Sequence, residues 1–330
     1  MSMKQIEKIR VALVLGLFSI IMSACCSQKT INNTDTYSDI GGDTFAESGM
    51  EFYTCISGTS QEMRDYLREK NIKRAVLVGG HFIEKDHEFT VNKDNIDAFL
   101  DKAVSDRESD AMIVLDFEGQ KMTDLLKTSD EAEADRIVDH YIGVFKYFKK
   151  QRPNATIGYY GYPFRDYWHR NEQWKKKNDR LIPLFAVVDA LFPSIYDFYA
   201  DDIDVKKASD LAYVRENVEE TLRLAEGKPV YPFLWHRYHS SNKKRAKDLI
   251  DFQEFEDHVA AVANASYDGH QAKGVVWWSS ERFFYNLSRR GKANTRNRRD
   301  FEDYSNQYNM PYIDTIINGL KRRQSADPQK

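Results

Sequence analysis

Cysteine is nearly absent, at three in 330 residues, so no disulfide framework holds this chain. No apolar run is long enough for a lasting membrane span; the run Val11–Met22 is too short, which excludes a multi-span membrane protein. Glycine at 16 and proline at 8 exclude a collagen-like chain, and a hydrophobic share of 42% excludes global disorder. Neither charge sign dominates, with 48 Lys and Arg against 51 Asp and Glu and a net charge of -3. No repeat of 20–50 residues is visible. The eight histidines show no zinc spacing, and neither a Cys–His pair nor a G-x-S-x-G elbow occurs. No metal or organic cofactor is expected. What the chain has in surplus is aromatic: 19 Tyr, 19 Phe and 5 Trp, a composition that often lines a concave site.

The N-terminus reads as an address. Lys4, Lys8 and Arg10 precede the apolar run Val11–Met22, and small residues lead to Cys25, the pattern of a signal peptide over residues 1–24. Met22-Ser23-Ala24-Cys25 resembles a bacterial lipobox, which makes Cys25 the expected lipid attachment site. Acyl chains on one residue give stable anchoring. The alternative is an ordinary secretory signal cut near the same place. Residues 25–48 are rich in Ser, Thr, Asn, Asp and Gly without an apolar period, and read as a flexible tether. The expectation is therefore an exported protein, lipid-anchored to the cell envelope, with a single folded domain over 49–330 that ends in a basic extension. Nucleic acid is a poor partner for such a chain.

From residue 51 onward, short apolar runs alternate with helical stretches. The runs are Glu51–Ile56, Ala75–Val78, Ala111–Leu115, Thr156–Tyr160, Ala190–Tyr196, Val230–Leu234 and Gly274–Trp278. Ile137, Tyr141, Val144, Phe145 and Phe148 recur at helical spacing, as do Val214, Val218, Leu222 and Ala225, and later Phe252, Phe255, Val259 and Val262. Apolar strands separated by helices predict a parallel sheet clothed in helices. About seven such units suit a distorted (β/α) TIM-type barrel, an α/β fold. A doubly wound sheet is the alternative, but no Gly-rich phosphate loop follows the first strand; Val78-Gly79-Gly80-His81 lacks the remaining pattern.

Barrel chemistry sits at the C-terminal ends of the strands. The third run ends Leu115-Asp116-Phe117-Glu118, so Asp116 and Glu118, two apart on a strand, leave the same face. Two carboxylates held close in a desolvated mouth keep one of them protonated, as a general acid requires. A bare D-x-E also occurs on exposed loops. The other run ends add weight: Tyr159-Tyr160-Gly161-Tyr162-Pro163, Pro193-Ser194-Ile195-Tyr196, Trp235-His236-Arg237-Tyr238 and Trp277-Trp278-Ser279. Aromatic faces around acids suit a sugar, which stacks through its C–H faces and hydrogen-bonds through its hydroxyls. Tyr160, Tyr162, Trp235, Arg237, Tyr238 and Trp278 are the candidate substrate contacts.

These strings resemble the animal hyaluronidases, whose insect-venom members carry a D-F-E or D-W-E signature. Val114-Leu115-Asp116-Phe117-Glu118, Arg152-Pro153 with Gly158–Pro163, Phe192–Tyr196, Pro232–Tyr238 and Gly274–Ser279 follow the family order from about residue 90 to 280. The resemblance implies a distorted barrel and a retaining hydrolase whose substrate is its own nucleophile. Glu118 is implied as acid and then base, and Asp116 as the group that orients the acetamido nitrogen and stabilises the cationic intermediate. Tyr196, with Tyr160, is implied to bond the acetamido group, and Trp278 to wall the pocket. The chain departs from the family after Glu118, where Gly119-Gln120-Lys121-Met122 replaces a Trp-Arg-Pro segment, and in lacking framework cysteines apart from Cys55. Trp277 and Ser279 also replace an aliphatic residue and a glycine.

Arg165, His169, Arg170 and Lys175–Lys177, together with His236, Arg237, His239, Lys243, Lys244 and Arg245, follow strand ends, and as a rim they would concentrate a polyanion such as hyaluronan or chondroitin. As a solvated helix face they would do nothing of the kind. Two function classes fit. One is a glycosidase acting on N-acetylhexosaminyl bonds of a glycosaminoglycan-like polysaccharide, or on another acidic or chitin-like glycan. The other is a surface glycan-binding lipoprotein without hydrolysis.

Overall fold

The computed structural model describes residues 49–56, 59–84, 89–288 and 298–324. The leader, Cys25 and the tether lie outside the described residues, as do residues 289–297 of the basic stretch. The elements in order are β1 (Glu51–Thr54), α1 (Gln61–Glu69), β2 (Lys73–Gly79), α2 (Gly80–Ile83), α3 (Lys93–Ala103), β3 (Met112–Asp116), α4 (Gln120–Lys127), α5 (Glu131–Gln151) and β4 (Thr156–Tyr159). They continue with α6 (Glu172–Asp179), α7 (Ile182–Val187), α8 (Lys207–Ala225), β5 (Phe233–Leu234), α9 (Phe252–Asn264), β6 (Ser266–Tyr267), β7 (His270–Gln271), β8 (Gly274–Trp277), α10 (Glu281–Ser288) and α11 (Arg298–Lys321). No described helix is long and apolar enough to cross a membrane.

Six strands form one parallel sheet in the order β4-β3-β2-β1-β8-β5. The fifth apolar run, Ala190–Tyr196, is too irregular to count as a strand, yet it closes the sheet. Parallel bridges join Tyr160 to Phe192 on one side, and Leu191 to Val230 and Ser194 to Phe233 on the other. Gly161 N–H donates to Phe192 O at 2.9 Å, and Phe233 N–H to Pro193 O at 2.8 Å. The barrel therefore has six regular staves and a seventh made of single bridges. The chain is an α/β barrel, as the alternating runs predict.

The alternation of side chains splits the apolar core in two. Ala75, Met112, Val114, Phe192, Phe233 and Val276 fill the lumen in one cluster. Their neighbours in sequence, such as Ile113, Leu115, Val275 and Trp277, point outward into the larger cluster beneath the helices. The predicted helical faces of α5 and α8 land there, with Ile137, Tyr141, Val144, Phe145 and Phe148 of α5 all buried, whereas on α9 Phe255, Val259 and Val262 are buried and Phe252 is exposed. Asp130 caps α5 by accepting from the N–H groups of Ala132 and Glu133, and Asp251 caps α9 in the same way. The last helix, α11, packs on α9, with Tyr312 T-shaped against Phe255.

The closure depends on one residue without a side chain. A Cβ on Gly158 would stand 2.1 Å from the carbonyl oxygen of Ala190 and 2.8 Å from the Phe192 ring. Overfilling a packed core costs about 1–3 kcal/mol, and more where backbone must move. Gly158→Ala is expected to destabilise the protein by about 3 kcal/mol, read as a lower urea midpoint. An unchanged midpoint would mean that β4 and the 190–196 segment are not held this closely.

Candidate active site

On β3 the alternation that sends Met112 and Val114 into the lumen carries Asp116 and then Glu118 to its mouth. Gly79 pairs with Asp116 across β2 and β3, and Gly80 opens α2. The Val78-Gly79-Gly80-His81 stretch thus abuts the end of β3. Burial raises both acids above the ordinary carboxylate range, and the Glu118 charge pushes Asp116 further. Arg165 opposes the rise on Glu118. The pair is built to hold a proton. The carboxylate of Glu118 lies over Gly161, whose φ of +83° leaves room there: a Cβ would stand 3.7 Å from Glu118 Oε1 and 3.2 Å from Met122 Cε.

Aromatic side chains from four further staves surround this pair. Tyr196 stacks on Trp278 at 6.2 Å with planes 16° apart, and Trp235 lies 5.6 Å from Tyr196 and 5.2 Å from Trp278. Tyr160 is 6.1 Å from Tyr196, and its hydroxyl sits 3.0 Å from Ser194 Oγ. The indole Nε1 of Trp235 is buried without a hydrogen-bond partner, a donor placed to serve a ligand oxygen. Arg165 floors the group. Its guanidinium lies 5.9 Å from the Tyr196 ring and 5.2 Å from Phe198, donates to Ser194 O at 3.3 Å, and donates to His239 Nε2 at 3.1 Å. Burial, with Arg165 beside it, holds His239 well below the usual histidine range, so the ring is neutral.

Of the residues singled out from sequence, Asp116, Glu118, Tyr160, Tyr196, Trp235 and Trp278 converge here. Three do not. Tyr162 points outward and packs against Tyr141 and Phe164. The Tyr238 hydroxyl donates to Glu254 at 2.7 Å within the outer core. The guanidinium of Arg237 is spent on Glu281, with Nε–Oε1 at 2.9 Å and Nη2–Oε2 at 3.0 Å. The expected basic rim shrinks for the same reason. Arg170 pairs with Glu216, Lys244 and Arg245 with Asp204, and Lys175 with Glu172 on the exposed face of α6. Arg165 and His239 stand beside the Tyr196 ring. Cys55 also faces the lumen, and burial pushes its thiol up to about 12, so it stays protonated.

Sequence reading missed the bracket that holds the aromatic wall. The residues next to Trp235 and Trp278 turn outward, where Trp277 Nε1 donates to His236 Nδ1 at 3.2 Å and His236 Nε2 meets Glu281 Oε1 at 3.0 Å. Glu281 lies on α10, distant in sequence from its partners, and no local pattern marks it.

The comparisons with known proteins agree with this geometry. The profile of the hyaluronidase family, glycoside hydrolase family 56, matches residues 102–313, from α3 through the carboxylates to α11. The chain belongs to the hyaluronidase family. A hyaluronidase of Tabanus yao, Tab y 2.0101, is 28% identical over 178 residues, covering 51% of this chain and 45% of the relative. A hyaluronidase of Apis mellifera is 27% identical over 168 residues, 46% of this chain and 41% of the relative. The chain spans about half the length of the curated relatives it matches. Bee venom hyaluronidase in complex with a hyaluronic acid tetramer is similar in fold, at a TM-score of 0.58 and 17% identity over 83% of this chain and 99% of that one.

Breaking a buried ion pair by removing one partner costs about 3–5 kcal/mol. Burial alone would raise the Glu281 carboxyl, but hydrogen bonds from His236 and Arg237 hold it below the ordinary range. Glu281→Ala is expected to lose about 3–5 kcal/mol in chemical denaturation, because Arg237 then stays buried without a counter-charge. A loss under 1 kcal/mol would show that the bracket contributes little.

Proposed function

We propose that this protein is a retaining glycosidase that cleaves N-acetylhexosaminyl bonds in an anionic, glycosaminoglycan-like polysaccharide of the hyaluronan or chondroitin type. The observation that carries the reading is the proton-holding pair Asp116 and Glu118 at the lumen mouth, walled by Tyr196, Trp235 and Trp278. Substrate-assisted enzymes are the exception to the two-carboxylate nucleophile scheme, and membership of the hyaluronidase family supports that route here. The acetamido oxygen of the substrate attacks its own anomeric carbon while Glu118 gives its proton to the departing glycosidic oxygen. The ionised Glu118 then takes a proton from the water that opens the cyclic intermediate. Asp116 holds the acetamido N–H, Tyr196 and Tyr160 support the group, and Trp278 closes the pocket around its methyl. Arg165, the half-buried cation behind the Tyr196 ring, favours a substrate that brings a carboxylate or sulfate.

One observation favours a related reading. The segment after Glu118 departs from the family, opening α4 directly, and Lys121 turns to the buried Glu84. A groove shaped by this helix suits a different acidic glycan cleaved by the same chemistry. The lipobox at Cys25 supports action at the surface of a bacterial envelope.

Reducing-end release from hyaluronan, chondroitin and chitin oligosaccharides tests the reading. Glu118→Gln is expected to lower turnover at least about a thousandfold, within the scale set by general acid catalysis, while leaving polymer binding intact. Turnover at the parent rate would remove Glu118 from the acid role. Substrates with a free amine in place of the acetamido group are expected to be inert, and equal rates on them would sink substrate assistance.

The pH profile supplies a further check with a definite sign. Burial raises Glu118 and Arg165 lowers it, so removing the guanidinium lets its pKa climb. Arg165→Gln is therefore expected to move the alkaline limb of kcat/KM to higher pH and to raise KM for anionic polymers. A limb that moves to lower pH would contradict the assignment of Glu118 as the group that must be protonated.

A further inference from the structure

On the outer side of the Tyr196 stave, away from the lumen, three side chains from separate segments meet. Asp197 follows Tyr196, Asp210 lies on α8, and His258 lies on α9; they are 0%, 2% and 1% exposed. Their carboxylate oxygens and imidazole nitrogen all lie within 4.8 Å of one another. His258 Nδ1 stands 3.7 Å from Asp197 Oδ2 and 3.9 Å from Asp210 Oδ2, beyond hydrogen-bond reach. Asp197 Oδ2, Asp210 Oδ1 and His258 Nδ1 lack a well-formed hydrogen bond, with the buried Tyr167 hydroxyl beside Asp210.

The other contacts fix how these groups face each other. His258 Nε2–H donates to the Ile195 carbonyl at 2.8 Å, so in the neutral ring the Nδ1 lone pair turns toward the two carboxylates. Asp197 Oδ1 accepts from the Tyr199 N–H at 3.2 Å. The surroundings add negative charge: Asp201 and Glu254 lie close enough to push Asp197 upward. Lys207 meets Asp201 at 3.8 Å and bonds Asp257. Two carboxylates and a lone pair thus converge in a dry place, and positive charge belongs between them.

We propose that Asp197, Asp210 and His258 bind one divalent cation of the zinc or manganese type. The imidazole selects against calcium and magnesium, which take oxygen ligands. A ring whose outer N–H is fixed on a backbone carbonyl is the usual posture of a metal-bound histidine. Ligand bonds of about 2.0–2.2 Å place neighbouring donors roughly 3.3–3.6 Å apart, a small contraction from the separations seen here. The cation ties the residue after Tyr196 to α8 and α9, and so holds the end of the irregular stave in place. It takes no part in the hydrolysis and stands independently of that reading.

The test uses the purified full chain, stripped with a chelator and then titrated with Zn2+, Mn2+ or Ca2+, with metal content and thermal unfolding as readouts. Zinc or manganese is expected to bind at one equivalent per chain and raise Tm by several degrees, while calcium does neither. Asp210→Asn and His258→Gln are each expected to lose both effects. The proposal is overturned if the parent takes up no zinc or manganese, if calcium is preferred, or if either variant still binds a full equivalent. Should one variant fail to fold, the parent titration and the other variant decide. A higher Tm for metal-free Asp210→Asn than for the metal-free parent, with no metal uptake by the parent, would assign the cluster to a shared proton instead.

Discussion

Everything at the mouth of this barrel depends on the two-residue period of a strand that is buried on both faces. β3 has no solvent side, so each residue goes either to the lumen or under the helices. That choice brings Asp116 and Glu118 together on the lumen side, where water is scarce. Two carboxylates there are costly unless they share a proton and a cation stands near. Arg165 supplies that cation, and Ser194 and His239 hold it.

The same period, on the other staves, separates recognition from support. Trp235 and Trp278 face the lumen, while His236 and Trp277 face outward, Trp277 donating to His236 and His236 meeting Glu281. Tyr196 faces the lumen, and Asp197, one residue on, faces α8 and α9. Tyr160 and Trp235 thus have outward neighbours tied to a helix, Tyr159 to the Tyr141 carbonyl on α5 and His236 to Glu281 on α10. Precise ring placement comes from these outer ties as much as from aromatic packing, which adds only about 0.5–1.5 kcal/mol per pair.

The least regular stave is also the one richest in polar work. Residues 190–196 make single bridges where the others make ladders, yet their backbone is hydrogen-bonded on both sides. Gly158 lets β4 come close to this segment, and the side chains of Tyr160, Ser194 and Tyr196 sit at that seam. Departure from regular pairing at a functional edge is a common arrangement in folds whose sites sit at strand ends.

Seven apolar runs, three helical faces and the D-x-E at the end of the third run were legible from residue order alone, because periods of two and 3.6 are local properties of the chain. So was the set of lumen aromatics that converge, Tyr160, Tyr196, Trp235 and Trp278. What residue order does not contain is which of two adjacent polar or aromatic residues turns inward once a strand has ended. Tyr162, Arg237 and Tyr238 follow strand ends as closely as the true site residues do, yet each is drawn outward by a partner far away in sequence: Tyr141, Glu281 and Glu254. Several charges that seemed free for a polyanion, among them Arg170, Arg237 and Arg245, found counter-charges elsewhere in the fold. The Asp197, Asp210 and His258 cluster shows no metal spacing because its members come from three separate segments. Short-range order set the barrel and its acids; only packing over long sequence distances decided which side chains were left for the ligand.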